Sequence, residues 1–281
     1  MKNYGSTLKM IRESLHISQN KISKGIMSQS NYSKVENGEI DIPFSKMVEL
    51  LQQMGMTVDE FLYIHNDYKK TPGHQLGRVT RLNNGDKEKI IDNINELSAI
   101  TNPTQREQEL LAIFEALLLV FNNDYEAVDK KVSIIWKRLK KFDNWYLEDI
   151  RLINSILYLF PVEVAGCIMS LALKRLKDYK KFGKTNRLSA NLQINYILLL
   201  TENKKYNNAL NNIDELINFS IEANLYIHLA TCYVRKGILL NILNNQEVSE
   251  WYEKGFELLE VTNNQGLIQE LKNEINLYTN N

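Results

Sequence analysis

The chain has 281 residues, 44% hydrophobic and 24% charged, with 34 basic residues against 34 acidic ones. That length buries a substantial core and suits two domains, and the charge balance excludes a polycation that holds nucleic acid over its whole surface. No apolar run approaches the ~18 residues of a membrane span, and no N-terminal segment reads as a signal peptide, so a cytoplasmic protein without a membrane partner is expected.

In chain order, Tyr4 to Leu15 carries Leu8, Ile11 and Leu15 at helical spacing, with Arg12 beside the stripe. Ser18 suits an N-cap for a short helix through Lys24, with Ile22 facing inward, and Gly25 tolerates positive φ at the break. Ser28 is a second N-cap, and Gly38 stops the helix that follows. Tyr32 and Val35 face inward there. The outer face carries Gln29, Ser30, Asn31, Ser33 and Lys34, which are amides and hydroxyls where a solvated helix usually shows Glu and Lys. Amides pair bidentately with adenine, and hydroxyls and lysine reach phosphates. Gln19, Ser28, Gln29, Ser30, Asn31, Ser33 and Lys34 are therefore the candidate DNA contacts of a helix–turn–helix. The competing reading is a plain helical hairpin with a polar face. Arg12 and Glu36 are candidates for a structural ion pair that holds the reading helix. Pro43 opens a fourth helix with Met47, Leu50, Leu51 and Met54 inside. Thr57 caps a fifth, with Glu60 placed for a capping box.

The segment SQSNYSKVENGEIDI (28–42) resembles the lambda-repressor-like, XRE-type helix–turn–helix domain, and within it the Rgg/MutR/GadR regulators of Gram-positive bacteria. NWYLEDIRLINSILYLFP (144–161) resembles the same regulators, which belong with the wider set of PlcR-like peptide-pheromone receptors. The resemblance covers essentially the whole chain in layout. Departures are Ser23 where alanine is usual, Gly25 where a helix former is usual, and Val35 and Asn37 in place of an aromatic and a basic residue.

Residues 67–85 read as a basic linker, with Lys69, Lys70, Arg78 and Arg81. It either touches phosphates or is simply solvated. From Asp86 the chain reads as ten helices: 86–100, 104–122, 125–142, 145–159, 162–182, 186–203, 207–223, 225–243, 247–262 and 264–278, separated by Asn, Gly, Asp or Pro. LLLTENKKYNNAL (198–210) and ILLNILNNQEVSEWYEKGFEL (238–258) read as degenerate tetratricopeptide-like halves about 40 residues apart. The expected fold is all-α: a helix–turn–helix domain over 1–66, the linker, and a right-handed helical-repeat solenoid over 86–281.

A solenoid of this kind offers a concave groove. Asn154 and Asn195 lie in apolar surroundings about one repeat apart, with Arg151 and Asn191 one turn before them. Asparagine offers donor and acceptor and can clamp a peptide backbone without reading side chains. Arg235 or Lys236 extends the row toward a peptide carboxylate, and Tyr196, Tyr226 and Tyr233 are candidate walls. The resemblance implies inner-helix asparagines and a basic residue in this role, which points to Arg151, Asn154 and Asn195. The competing reading is that they cap or bridge helices. The aromatic group Trp136, Phe142, Trp145, Tyr146, Tyr158 and Phe160 reads as core, and RLKDYKKFGK (175–184) as a solvated helix end. Cys167 and Cys232 sit in apolar patterns without ligand spacing, and buried thiols are expected.

Catalytic motifs are absent, carboxylates read as scattered over solvent-facing positions, and His16, His65 and His228 each stand alone in sequence. No cofactor, no metal and no enzyme activity are expected. The reading is a transcription regulator whose partners are double-stranded promoter DNA, a short signalling peptide and a second copy of itself. The dimer contact is expected on the last helix, at Leu267, Leu271, Ile275 and Leu277. The alternatives are control by a protein partner, or a protein-binding scaffold without DNA binding.

Overall fold

A computed structural model describes residues 3–68, 87–122, 124–182, 185–243 and 248–279, and the basic linker residues Lys69, Lys70, Arg78 and Arg81 lie outside it, with His74. The chain forms two compact units, Met1–Gln75 and Leu76–Asn281. Every regular element among the described residues is helical.

The first unit holds α1 (Tyr4–Ser14), α2 (Gln19–Ser23), α3 (Gln29–Asn37), α4 (Phe44–Gln53) and α5 (Val58–His65). The caps form from the residues whose chemistry suits them. The Ser18, Ser28 and Thr57 hydroxyls accept from the backbone N–H groups of Lys21, Asn31 and Glu60 at 3.3, 3.2 and 3.2 Å. Gly38 closes α3 in the left-handed conformation, φ 76°. Leu8, Ile11, Ile22, Tyr32, Val35, Leu50, Leu51 and Phe61 form the core. Leu15 leaves the expected stripe and is 44% exposed. The helix ends at Ser14, Leu15 is its cap residue, and the chain turns at His16, φ 55°. One close approach has no local signature: a Cβ on Gly5 would fall 1.7 Å from the Val35 carbonyl oxygen, so glycine lets α1 lie directly on α3.

The second unit holds α6 (Lys87–Ser98), α7 (Gln105–Phe121), α8 (Tyr125–Leu139), α9 (Leu147–Ile156), α10 (Val162–Leu176), α11 (Thr185–Glu202), α12 (Tyr206–Glu222), α13 (Tyr226–Ile242), α14 (Ser249–Val261) and α15 (Gln265–Thr279). From α9 onward consecutive helices pack against one another, and α9, α11, α13 and α15 also touch in series, so they form one layer backed by α10, α12 and α14. This is the tetratricopeptide-like arrangement. Three of its turns repeat one device: a left-handed residue, then an N–H that returns to the carbonyl five residues earlier. Lys204, Asn224 and Asn263 are the left-handed residues, at φ 58°, 54° and 51°. The returning bonds are Lys205 to Leu200, Leu225 to Ser220 and Asn264 to Leu259, at 2.8, 2.8 and 2.9 Å. Asparagine tolerates this backbone better than lysine does. Lys204→Gly is therefore expected to stabilise the second unit by about 0.5 kcal/mol after allowing for the freer unfolded chain, seen as a higher urea midpoint. Tryptophan fluorescence reads this, because Trp136, Trp145 and Trp251 all lie in this unit.

Several expectations change here. In the second unit, Glu109 and Asp149 are not on solvent faces but buried, and Arg106 and Arg138 neutralise both, tying α7, α8 and α9 together. Cys232 is buried as expected, but Cys167 is exposed. It shares the outward face of α10 with Val164 and Leu171, an apolar stripe that the fold leaves uncovered. Trp145 is core, whereas Phe142 and Tyr146 are exposed. Leu271 is fully buried, and Leu267 and Ile275 pack with it against α13 and α14. That stripe is spent inside the chain, and only Leu277 of the expected dimer contact faces out.

Candidate functional site

The first unit presents the candidate DNA contacts on and around α3. Glu36 lies near the end of α3 with its carboxylate buried, and Arg12 of α1 grips it as a fork, Nε to Oε1 at 2.6 Å and Nη2 to Oε2 at 2.9 Å. The third nitrogen, Nη1, donates to the Ile17 carbonyl at 2.8 Å and fixes the turn into α2. The expected pair is therefore formed. Burial works against the Glu36 charge, but the hydrogen bonds from Arg12 and Gln19 outweigh it and hold the carboxyl below its usual range. Gln19 donates to Glu36 Oε2 at 2.7 Å, and Gln29 donates to Gln19 Oε1 at 2.6 Å. A buried ion pair thus extends through two amides to the first residue of α3. Gln29 is exposed but held, with its own carbonyl oxygen left to accept from outside. Gln19 belongs to this support as much as to the surface. Ser30, Asn31 and Lys34 are exposed beside Gln29, Ser33 is half-buried, and Ser28 is spent on capping.

The second unit presents the inner layer α9–α11–α13–α15. Asn195 Nδ2 donates to the Asn154 backbone oxygen at 3.1 Å and to its side-chain oxygen at 3.2 Å. Asn154 is only 5% exposed, and Asn195 is half-buried. Asn191, one turn earlier on α11, meets His228 Nε2 through its side-chain oxygen at 2.9 Å. His228 is therefore not alone, and neither is His65, whose Nδ1 lies 2.8 Å from the Thr7 hydroxyl. Burial, and then the charge of Arg187, push the His228 pKa down.

The structure does not bring every candidate to one place. Arg151 is exposed and paired with Glu148 on its own helix. Tyr226 is exposed at the start of α13 and donates to Asn224 of the preceding turn at 3.1 Å. Tyr196 and Tyr233 face the backing layer, Tyr196 against Gly166 of α10 and Tyr233 against Trp251 of α14, so neither walls the inner face. Arg235 is taken. Its Nε and Nη2 donate to the two oxygens of Glu274 on α15 at 2.9 and 3.1 Å. Glu202 and Glu270 lie in the same field, and for both burial comes first, with Glu274 adding to it, in raising the carboxyl pKa against the pull of Arg235. Sequence reasoning missed Arg187, Glu202, Glu270 and Glu274. Their signal was helical spacing on α11 and α15, since Arg187 is four residues before Asn191, and Glu274 is four after Glu270.

Among the described residues, no group of three or more His, Cys, Asp or Glu could hold a metal, and no helix is long and apolar enough to cross a membrane. An amide-faced second helix braced on a buried ion pair, followed by stacked helical hairpins, defines the class of helix–turn–helix transcription regulators. Residues 88–273 match the sequence profile of the C-terminal domain of HTH-type transcriptional regulator Rgg, and residues 8–61 match a helix-turn-helix profile. The chain belongs to the Rgg family of transcriptional regulators.

Solved structures share the fold at low identity. A Listeria monocytogenes EGD-e protein provisionally assigned as a transcriptional regulator superposes with a TM-score of 0.80 at 21% identity, covering 100% of this chain and 99% of that one. The pheromone receptor Rgg2(C45S) of Streptococcus dysgalactiae gives 0.74 at 17%, covering 97% and 98%. PlcR of Bacillus thuringiensis, solved with the peptide PapR7 and DNA, gives 0.72 at 16%, covering 96% and 99%.

Proposed function

We propose that this chain is a cytoplasmic, homodimeric regulator that reads promoter DNA with α3 and responds to a short signalling peptide held on the inner layer of its second unit. The observation that carries the reading is the amide row of that layer, Asn191 and Asn195 on α11 with Asn154 behind, in a chain of the Rgg family. Asn154 acts as a buried backstop that orients Asn195. Asn195 keeps its carbonyl oxygen for a peptide N–H, and the row grips backbone. Two members of the same fold support the assignment by what they were solved with or are described as sensing: PlcR with a peptide and DNA, and Rgg2 as a pheromone receptor.

A dimer places two α3 helices in successive major grooves, so the operator is an imperfect palindrome. For the peptide to act as a switch, it has to bind one arrangement of that dimer more tightly than the other.

The DNA half is tested with the full chain and the DNA upstream of its own gene. Gln29→Ala and Asn31→Ala are each expected to weaken binding by about 1–3 kcal/mol and to relax sequence preference, with far-ultraviolet circular dichroism unchanged. Unchanged binding by both variants removes α3 as the reading helix. The peptide half is tested with Asn195→Ala, which is expected to abolish one-per-chain peptide binding in a calorimetric titration. A response to peptide that survives both Asn154→Ala and Asn195→Ala places the ligand elsewhere.

A further inference from the structure

The inner layer carries three arginines, and the structure treats them differently. Arg235 is gripped by both oxygens of Glu274 and reaches the Ile194 carbonyl at 3.4 Å with its remaining nitrogen. Glu202 and Glu270 share its surroundings, so one cation there faces three carboxylates. An incoming carboxylate would have to displace Glu274 and then sit among its like charges. Arg151 has its charge offset by Glu148, one turn away on the same helix. Arg187 is exposed in the first turn of α11 and, among the described residues, has no carboxylate at ion-pair distance. It lies one turn before Asn191, on the same face, and its charge is felt at His228, the residue bonded to Asn191.

We propose that Arg187 is the anion-receiving residue of the peptide site, and that it takes a free carboxylate of an extended peptide whose backbone runs along the Asn191–Asn195 row. The three glutamates keep that carboxylate away from Arg235 and so fix which way the peptide lies. This rests on the peptide-sensing reading above.

The dimensions suit a short ligand. Arg187 and Glu202 stand at opposite ends of one face of α11. Fifteen helical residues rise about 22 Å, which roughly six or seven extended residues span. Guanidinium is also the better receptor, because its planar fork matches both carboxylate oxygens.

The test uses the full-length protein and a pool of random synthetic heptapeptides, made once with free C-terminal carboxylates and once as carboxamides. Retained peptides are identified by mass spectrometry, resynthesised and titrated. The proposal expects the free acids to dominate the retained set. Arg187→Gln is expected to weaken an acid about tenfold or more and to leave its carboxamide unaffected, with Arg187→Lys intermediate. If acids and carboxamides bind alike, but Asp or Glu is enriched and its amide counterpart binds weakly to wild type and no differently to Arg187→Gln, the carboxylate comes from a side chain. That outcome also supports the assignment. It is overturned if Arg187→Gln binds acids as wild type does, or if Arg151→Gln abolishes the preference instead. If no peptide is retained by a protein that still binds its promoter DNA, the peptide-sensing reading itself fails.

Discussion

Glu36→Ala is expected to destabilise the first unit strongly while leaving the second intact. The substitution leaves the Arg12 guanidinium, a side chain only 9% exposed, with the Ile17 carbonyl and a long 3.4 Å contact to the exposed Glu13 carboxylate. Breaking a buried pair by removing one partner costs about 3–5 kcal/mol. A small domain holds only about 5–15 kcal/mol in total. Gln19 loses its anchor in the same step, so Gln29 is released at the start of α3. Hydrogen exchange of the α1–α5 amides reads the loss, and tryptophan fluorescence, confined to the second unit, acts as the internal control. Removing both charges with well-packed apolar residues, as in Arg12→Met with Glu36→Leu, is expected to cost much less than the single change. A double variant as unstable as the single one would mean that the charges are not the cause.

The same carboxylate sets a pH dependence. Its pKa is lower in the folded state than in the unfolded chain. The pair therefore contributes fully above the unfolded carboxylate value, about 4.3, and the contribution is lost as pH falls through the lower folded value. Wild type should lose stability in the first unit on acidification through that window, and Glu36→Ala should lose less.

The elements that could be read from sequence are those fixed by local chemistry. Ser18, Ser28, Thr57 and Gly38 mark helix ends because the groups they satisfy are within three or four residues. The breaks of the second unit are legible for the same reason, since Asn224 and Asn263 supply the left-handed turn residues. What stayed hidden depends on approach between distant segments. Gly5 reads as an ordinary helix residue until α3 is laid on it. Tyr196 and Tyr233 sit on α11 and α13 as the spacing implies, but which layer each faces is decided by the backing helices. The asparagine row was visible from its apolar surroundings. The occupancy of Arg235 was not, because its partner lies 39 residues away on the last helix.

Arg235→Ala is expected to loosen α15 and to do so in a pH-dependent way. The arginine and Glu274 are each mostly buried, at 15% and 17% side-chain exposure, and join α13 to α15. Partial exposure places the expected loss at about 2–3 kcal/mol, below that of a fully buried pair. The sign of the pH effect is opposite to that at Glu36. Glu202 and Glu270 have folded pKa values above the ordinary one. Their neutral forms are compatible with the fold, and stability is fully present below the unfolded value, about 4.3, then lost as pH rises through the folded values. Without Arg235 the attraction that restrains those values is gone, so the loss on raising the pH becomes larger. Urea unfolding followed by tryptophan fluorescence should show the variant below wild type at both pH 4.5 and pH 8, with the larger deficit at pH 8. Hydrogen exchange should place the opening on α15, which is otherwise held by the apolar cluster around Ile268 and Leu271. A deficit of equal size at both pH values would mean that Arg235 acts through packing, and that the three glutamates do not set the charge of this end of the inner layer. Glu274→Gln then separates the two causes: it removes one of the crowded carboxylates and keeps the hydrogen-bonding shape. It should recover part of the Arg235→Ala loss at pH 8 only if like-charge crowding is what the arginine relieves.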